Sequence, residues 1–123
     1  MNTETIAKRL IELCRKGQFE EAQHELYAGD AVSSEPEGLP PGMGGTTKGL
    51  PAILEKGRQF FAGVEAMHGN TIGEPTVVGN WFSLPWILDA TMKGRGRVTL
   101  QEICVYQVRN GKIVREQFFY DVG

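Results

Sequence analysis

The stretch Arg97-Val-Thr-Leu-Gln-Glu-Ile-Cys-Val-Tyr-Gln-Val-Arg109, then Asn110-Gly111, then Lys112-Ile-Val-Arg-Glu-Gln-Phe-Phe-Tyr-Asp121, decides the fold. Two β-rich runs flank Asn-Gly, the dipeptide that best tolerates the two positive φ angles of a type I′ turn. The spacing predicts a hairpin with Arg109 opposite Lys112, Val105 opposite Glu116 and Ile103 opposite Phe118. Period-two alternation then gathers Ile103, Val105, Val114, Glu116, Phe118 and Tyr120 on one face. That face is apolar yet carries one carboxylate flanked by bulky groups, which suits the lining of a pocket. The opposite face would hold Cys104, Tyr106, Val108, Ile113 and Phe119. It is too apolar to leave in water, so a homodimer through the convex side of the sheet is expected.

Outward from the hairpin, earlier segments also read as strands: about 64–71, 75–78, 81–92 and 98–109, with 112–121 last. Gly79-Asn80 and Lys93-Gly-Arg-Gly-Arg97 supply the turns between them. Pro85, inside the 81–92 run, predicts a bulge or an edge position. Three helical patterns precede these strands. Ile6, Leu10, Leu13 and Cys14 share one helical face, with Asn2 or Thr3 as cap and Gly17 as stop. Phe19, Ala22, Leu26 and Tyr27 mark a second helix, and Leu50, Ile53, Leu54, Phe60 and Phe61 a third. Residues 31–49, rich in Gly, Pro and Ser and including Pro40-Pro41-Gly42-Met43-Gly44-Gly45, read as a long loop of the kind that serves as a lid or binding loop. The pattern gives an α+β fold: a cone-shaped, curved mixed β-sheet packed by three N-terminal helices, a cystatin-like roll with an internal cavity.

The chain has 123 residues and a formal net charge of −2. One domain over 1–123 is expected. The charge gives no electrostatic case for nucleic acid or acidic membranes. No apolar run approaches the ~20 residues of a membrane span, and no signal-peptide core is visible, so a cytoplasmic location is expected. Cys14 and Cys104 lie far apart in apolar runs and read as free buried thiols. His24 and His68 have no companions at metal spacing, so no metal site is expected.

Three carboxylates are candidate catalytic groups. Glu35 precedes Pro36, which biases it toward an extended backbone. Ala31-Val32 should pair or pack beside the last strand and bring Glu35 toward the cavity of Glu116 and Phe118. Two carboxyls sharing such a cavity would titrate as a coupled unit, with at least one pKa raised. Asp89 is third, although Pro85 leaves open which face of its strand meets the cavity. Phe118, Tyr120, Trp86, His68 and Phe61 are the candidate ligand-lining residues.

The element order and the closing Gly111-Lys-Ile-Val-Arg-Glu-Gln-Phe-Phe-Tyr-Asp121 resemble the SnoaL-like branch of the nuclear transport factor two and ketosteroid isomerase-like superfamily, over essentially the whole chain. That superfamily holds isomerases, cyclases, dehydratases, epoxide hydrolases and non-catalytic modules. Leu26-Tyr-Ala-Gly-Asp-Ala-Val-Ser-Ser-Glu-Pro-Glu-Gly38 is similar, without gaps, to the ketosteroid isomerase segment whose acid before a proline is the general base. The resemblance puts Glu35 on that base and Leu10 near the tyrosine that polarises the steroid carbonyl. Against limonene epoxide hydrolase, Asp89 falls on the first catalytic aspartate, with Ile87 and Phe118 in place of the arginine and the second aspartate. Neither complete site is present.

Together these features imply a domain that binds a small apolar, polyketide-like compound and can move a proton on it without a cofactor. In that case Glu35 is the shuttle, and Glu116 and Tyr120 orient or stabilise the intermediate. The competing expectation is a non-catalytic ligand-binding or dimerisation module.

Overall fold

The computed structural model describes residues 1–39 and 44–121. The expectation for Pro40, Pro41, Gly42 and Met43 as part of a lid lies outside the described residues. The order is α1 (Thr3–Arg15), α2 (Phe19–Leu26), β1 (Tyr27–Ser34), β2 (Thr46–Lys48), α3 (Leu50–Ala62), β3 (Val64–Ile72), β4 (Thr76–Val78), β5 (Trp81–Met92), β6 (Gly96–Arg109) and β7 (Lys112–Phe119). Three helices pack on one face of a mixed seven-stranded sheet that is not closed into a barrel, the expected α+β class. The sheet runs β2-β1-β7-β6-β5-β3, with β4 also on β5. The β1–β7 pair is parallel and the others are antiparallel.

Local chemistry sets the starts of α1 and α3. Asn2 caps α1, its side-chain oxygen accepting from the Thr5 N–H at 2.8 Å. Pro51 sits in the first turn of α3, where its missing N–H costs nothing. Ile6, Ala7, Leu10, Ile11 and Leu13 of α1, Ala22 and Leu26 of α2 and Ile53 of α3 bury against Ile72, Phe82, Leu84, Cys104, Tyr106, Val108 and Ile113 of the sheet. The Arg15 guanidinium donates to the Ile72 carbonyl (2.7 and 3.1 Å), tying the end of α1 to the end of β3.

The hairpin turn is as expected: Asn110 and Gly111 both have positive φ (52° and 74°), and Arg109 lies opposite Lys112. The register beyond the turn is not. Val108 pairs with Ile113, but Gln107 pairs with Arg115, so Val114 is an extra residue in β7. This bulge slides the strand by one, and Glu116 lies opposite Tyr106 rather than Val105. A one-residue slip exchanges the faces. The concave, helix-covered face therefore carries Cys104, Tyr106, Val108 and Ile113, all buried, together with Glu116. Ile103, expected inside, is 55 % exposed. The dimer face inferred from Cys104, Tyr106, Val108 and Ile113 is likewise corrected: those residues are core, and only Phe119 of that set faces outward.

A second difference is β1. Its sequence, Tyr27-Ala-Gly-Asp-Ala-Val-Ser-Ser34, is too small and polar to read as a strand, yet it pairs with β7 (Val32 with Arg115, Ser33 with Glu116) and with β2. Tertiary pairing overrides weak propensity here. Val32 does lie beside the last strand, as expected. Pro85 sits mid-strand without disturbing β5–β6 pairing, because its other side falls at the step where β3 gives way to β4. There the Gly73 N–H donates to the Pro85 carbonyl at 3.0 Å. A Cβ on Gly73 would stand 2.5 Å from Pro85 Cγ. Gly73→Ala is expected to destabilise the fold by about 1–3 kcal/mol through this overlap, read as a lower denaturant midpoint in equilibrium unfolding. An unchanged midpoint contradicts the packing described.

Candidate functional site

Cross-strand rows define the concave side. One row runs Phe82–Tyr106–Glu116–Ser33 across β5, β6, β7 and β1. The next runs Leu84–Cys104–Phe118, with Glu35 just past the end of β1. The row after that starts with Trp86 opposite Glu102, and Tyr120 follows the end of β7. The slip at Val114 thus brings two glutamates of the hairpin, Glu102 and Glu116, to the side covered by the helices.

Glu116 is the deepest, at 2 % exposure. The Tyr27 hydroxyl donates to it. Burial raises its carboxyl above the usual range, opposed by Tyr27, by the nearby Ser33 hydroxyl and by Lys56. Lys56 reaches in from α3. It donates to Ser33 Oγ at 2.7 Å, lies 3.6 Å from Glu35 Oε1 and stands 5.4 Å above the Phe118 ring. This ammonium joins Ser33 and Glu35 on one side of the interior. The Glu35 side chain is 19 % exposed, and its Oε2 is buried without a hydrogen-bond partner among the described residues. Glu102 makes no hydrogen bond or ion pair with another described residue. Burial, then the Glu35 and Glu116 carboxylates, push it up to about 7, against the pull of Lys56. Burial, then Glu35 and Glu102, push the Tyr120 phenol up to about 12. Burial also raises Tyr27, Tyr106, Cys14 and Cys104, so both thiols are poor nucleophiles.

Aromatic side chains border this cluster. Phe19 and Phe61 stack at 4.8 Å, and Trp86 packs on Phe19 at 5.5 Å and Phe60 at 6.3 Å. The Trp86 indole donates to Asn70 Oδ1, and Asn70 donates to the Cys14 carbonyl. Glu35 also lines an open groove of about 400 Å³ with Pro36, Gly38, Gly45, Thr46 and Gln117. A larger open groove, about 730 Å³ between α1 and Glu74–Val77, holds none of the clustered carboxyls.

The structure brings together Glu35, Glu116, Phe118 and Tyr120, with Trp86 and Phe61 in the aromatic border. It does not bring Asp89 or His68 there. With Phe82, Leu84, Leu88 and Ala90 buried, Asp89 projects from the other face of β5. It is held by the Arg97 guanidinium at 2.8 and 3.0 Å, which lowers its pKa. His68 is exposed and bonds Thr91 Oγ1 at 2.7 Å. Its place on the other face of β5 separates Asp89 from the clustered carboxyls expected to share a site with it. Two further residues belong to the cluster, Glu102 and Lys56. Glu102 was hidden by the register slip. Lys56 follows Ile53 by three and precedes Phe60 by four, a charged residue within an apolar helical stripe, and that spacing could have found it. Among the described residues, no group of three or more His, Cys, Asp or Glu could hold a metal ion, and no helix is long and apolar enough to cross a membrane.

Raised carboxyl pKa values fix the sign of the pH dependence. Glu102 and Glu116 bind protons more tightly in the folded chain than in the unfolded one, so their contribution is fully present below the ordinary glutamate range and is lost as pH rises through their folded values. Thermal stability should therefore fall between about pH 5 and 8, and Glu102→Gln should flatten that slope. A melting temperature that rises over this interval, or a slope untouched by Glu102→Gln, contradicts the burial of these groups.

No curated protein sequence matches the chain. Solved structures do. One from Mesorhizobium loti, provisionally described as a SnoaL-like polyketide cyclase with carbohydrate phosphatase as a second label, is 34 % identical with a TM-score of 0.88, over 98 % of this chain and 100 % of that one. A provisional isomerase from Bacillus subtilis is similar at 21 % identity and TM-score 0.74, over 98 % of this chain and 90 % of that one. A protein with a ketosteroid isomerase-like fold from Catenulispora acidiphila, in complex with trimethylamine, is similar at 19 % identity and TM-score 0.73, over 99 % and 88 %. The last two likenesses concern the fold alone. The model of the SnoaL-like domain matches residues 1–120, so the chain belongs to the SnoaL-like domain family.

Proposed function

We propose that this SnoaL-like domain binds a small, mostly apolar carbonyl compound against the concave side of the sheet and moves a proton on it without a cofactor. The observation that carries this is Glu35: a carboxylate with one oxygen beside Lys56 and the other buried and unpartnered, at the boundary between the interior and an open groove. An ion pair holds the group in place while the free oxygen remains able to take a proton from carbon. Glu116, tied to Tyr27, is the deeper member of the pair named from sequence and stabilises the arrangement of Lys56 and Ser33 rather than reaching the ligand. Tyr120, Phe118, Trp86 and Phe61 supply apolar and aromatic contact. The polyketide cyclase description of the Mesorhizobium loti relative fits this chemistry, since cyclisation of such compounds begins with loss of a proton next to a carbonyl.

The test needs no knowledge of the natural substrate. 2-Tetralone, a small aromatic ketone with acidic C–H groups, is incubated in D₂O with the protein, and deuterium incorporation is followed by NMR. The parent should accelerate exchange, and Glu35→Gln should remove the acceleration by about 100-fold or more, the usual worth of a positioned base. Binding of the ketone with no exchange above background favours the alternative, a non-catalytic ligand-binding module.

The partner proposal is a homodimer in the cytoplasm through the outer face of the sheet. Pro85, Ile103 and Phe119 form one row across β5, β6 and β7, with Ile103 55 % and Phe119 45 % exposed and Ile87 nearby. A contiguous apolar row of this kind favours a second, symmetry-related copy. Light scattering at micromolar concentration should give a dimer for the parent and a monomer for Ile103→Glu. A monomeric parent overturns the proposal.

A further inference from the structure

We propose that Lys56 is a nucleophile that holds the ligand carbonyl as a covalent imine, with Glu35 as the acid and base that forms and uses it. The proposal rests on the carbonyl-ligand reading above and names the residue that bonds the carbonyl carbon. Lys56 lies one turn after Ile53, which is fully buried and anchors α3 on the sheet. Its longer side chain, 31 % exposed, carries the amine over the Phe118 ring at 5.4 Å. An ammonium that served only to neutralise Glu35 would close on it, since charge-assisted N–H···O bonds run at about 2.7–2.9 Å. Here Nζ stays 3.6 Å from Glu35 Oε1, and its short bond, at 2.7 Å, is donated to the uncharged Ser33 hydroxyl. Ser33 is fully buried on β1, a strand paired on both sides, so the amine is steadied from a fixed backbone. Glu35 keeps its second oxygen, buried and without a hydrogen-bond partner among the described residues. Imine formation needs such a pair: an amine, and a neighbouring group that first removes a proton and then returns one to the departing oxygen. Lysine is the side chain suited to this, because arginine does not give up its proton. The open groove of about 400 Å³ beside Glu35 gives a small molecule an approach, and the Phe118 ring offers apolar surface for its body.

The steps balance within the site. The Lys56 ammonium passes a proton to Glu35, which neutralises both groups and moves no net charge through the interior. The amine lone pair attacks the carbonyl carbon, and the C=O π pair moves to oxygen. A proton on nitrogen then moves to that oxygen and gives a neutral carbinolamine. Glu35 protonates its hydroxyl, the C–O pair leaves on water, and the nitrogen lone pair forms the C=N bond. A protonated imine now stands beside the regenerated Glu35 carboxylate. Glu35 takes the proton from the adjacent carbon, the C–H pair becomes C=C, and the C=N π pair returns to nitrogen as a neutral enamine. Return of the proton and addition of water reverse the sequence, release the ligand and restore the enzyme. The only co-reactant is water. The ligand class follows: an aldehyde or an unhindered ketone, since esters and carboxylates do not form imines with an amine.

The experiment is reductive trapping. The folded protein is incubated with 2-tetralone and sodium cyanoborohydride at neutral pH, and intact mass and labelled peptides are read by mass spectrometry. Reduction of the imine fixes the ketone on the chain, with a gain equal to its mass less one oxygen atom. The label is expected on Lys56 in excess over the exposed Lys48 and Lys93, which control for unselective labelling. That preference should be lost when the chain is unfolded in urea before labelling. Lys56→Arg keeps the positive charge beside Glu35 but cannot form the imine. It should lose both the adduct and the acceleration of deuterium exchange, with folding checked by thermal melting. A parent labelled on Lys56 no more than on Lys48 and Lys93 overturns the proposal, and Glu35-dependent exchange persisting in that case leaves the proton-transfer reading standing. Exchange at the parent's rate in Lys56→Arg also overturns it. An adduct on Lys56 with no exchange in the parent supports the imine and overturns the proton-transfer reading instead. If Lys56→Arg does not fold, the distribution of label in the parent decides.

Discussion

One extra residue in β7, Val114, governs what the rest of the sheet can present. Without it the type I′ turn would carry strict alternation down both strands, and Tyr106 and Cys104 would point to the same side as Phe119. With it, Ile113 packs inward before the bulge and Glu116 and Phe118 pack inward after it. The helices then cover a surface that is apolar at its centre and acidic toward Glu35 and Glu102. A bulge also increases local twist, which suits a sheet that must fold around α1, α2 and α3.

That arrangement carries an electrostatic cost. Three carboxyls and one ammonium sit together under the helices, and charges in such surroundings are disfavoured unless paired or protonated. The tension is relieved in three ways. Glu35 pairs with Lys56, Glu116 receives the Tyr27 hydroxyl, and Glu102 titrates near neutrality instead of remaining an anion. Groups whose environments push their pKa values apart are the usual raw material of acid–base sites, and local rules of burial tend to be broken where function requires it. Asp89 provides the contrast. It lies on the outer face of the same sheet, paired with Arg97 and away from the clustered carboxyls.

Much of the architecture was legible because it depends on local signals. Asn2, Gly17 and Pro51 delimit helices, and Asn110-Gly111 closes the hairpin; each acts through its own backbone requirements. The missed features are non-local. Nothing in the residues around Val114 announces a bulge, and the correct partners of Glu116 follow only from packing Cys104, Tyr106 and Val108 against the helices. The same error hid Glu102 and assigned buried core residues to a dimer face. β1 was obscured for a related reason: Ala28, Gly29 and Asp30 are poor strand formers, and their segment becomes a strand through pairing with β7 and β2. The positions of Glu35 and Phe118 near Glu116 were legible, since the proline after Glu35 and the parity of Glu116 and Phe118 beyond the bulge do not depend on the slipped register. Family membership fits this division. The match over residues 1–120 identifies the scaffold.

The central claim is that the bulge brings Glu102 and the buried Glu116 to the concave side, where they are electrostatically linked to Glu35. Its most direct test is a carbon-13 NMR titration of the glutamate side-chain carboxyls, assigned by single Glu→Gln variants. The account predicts that the Glu102 carboxyl titrates at about 7, that Glu116 titrates above the ordinary glutamate range, and that Glu35→Gln lowers the Glu102 midpoint. Glu102 and Glu116 both titrating as solvated glutamates, with Glu102 indifferent to Glu35→Gln, would contradict it.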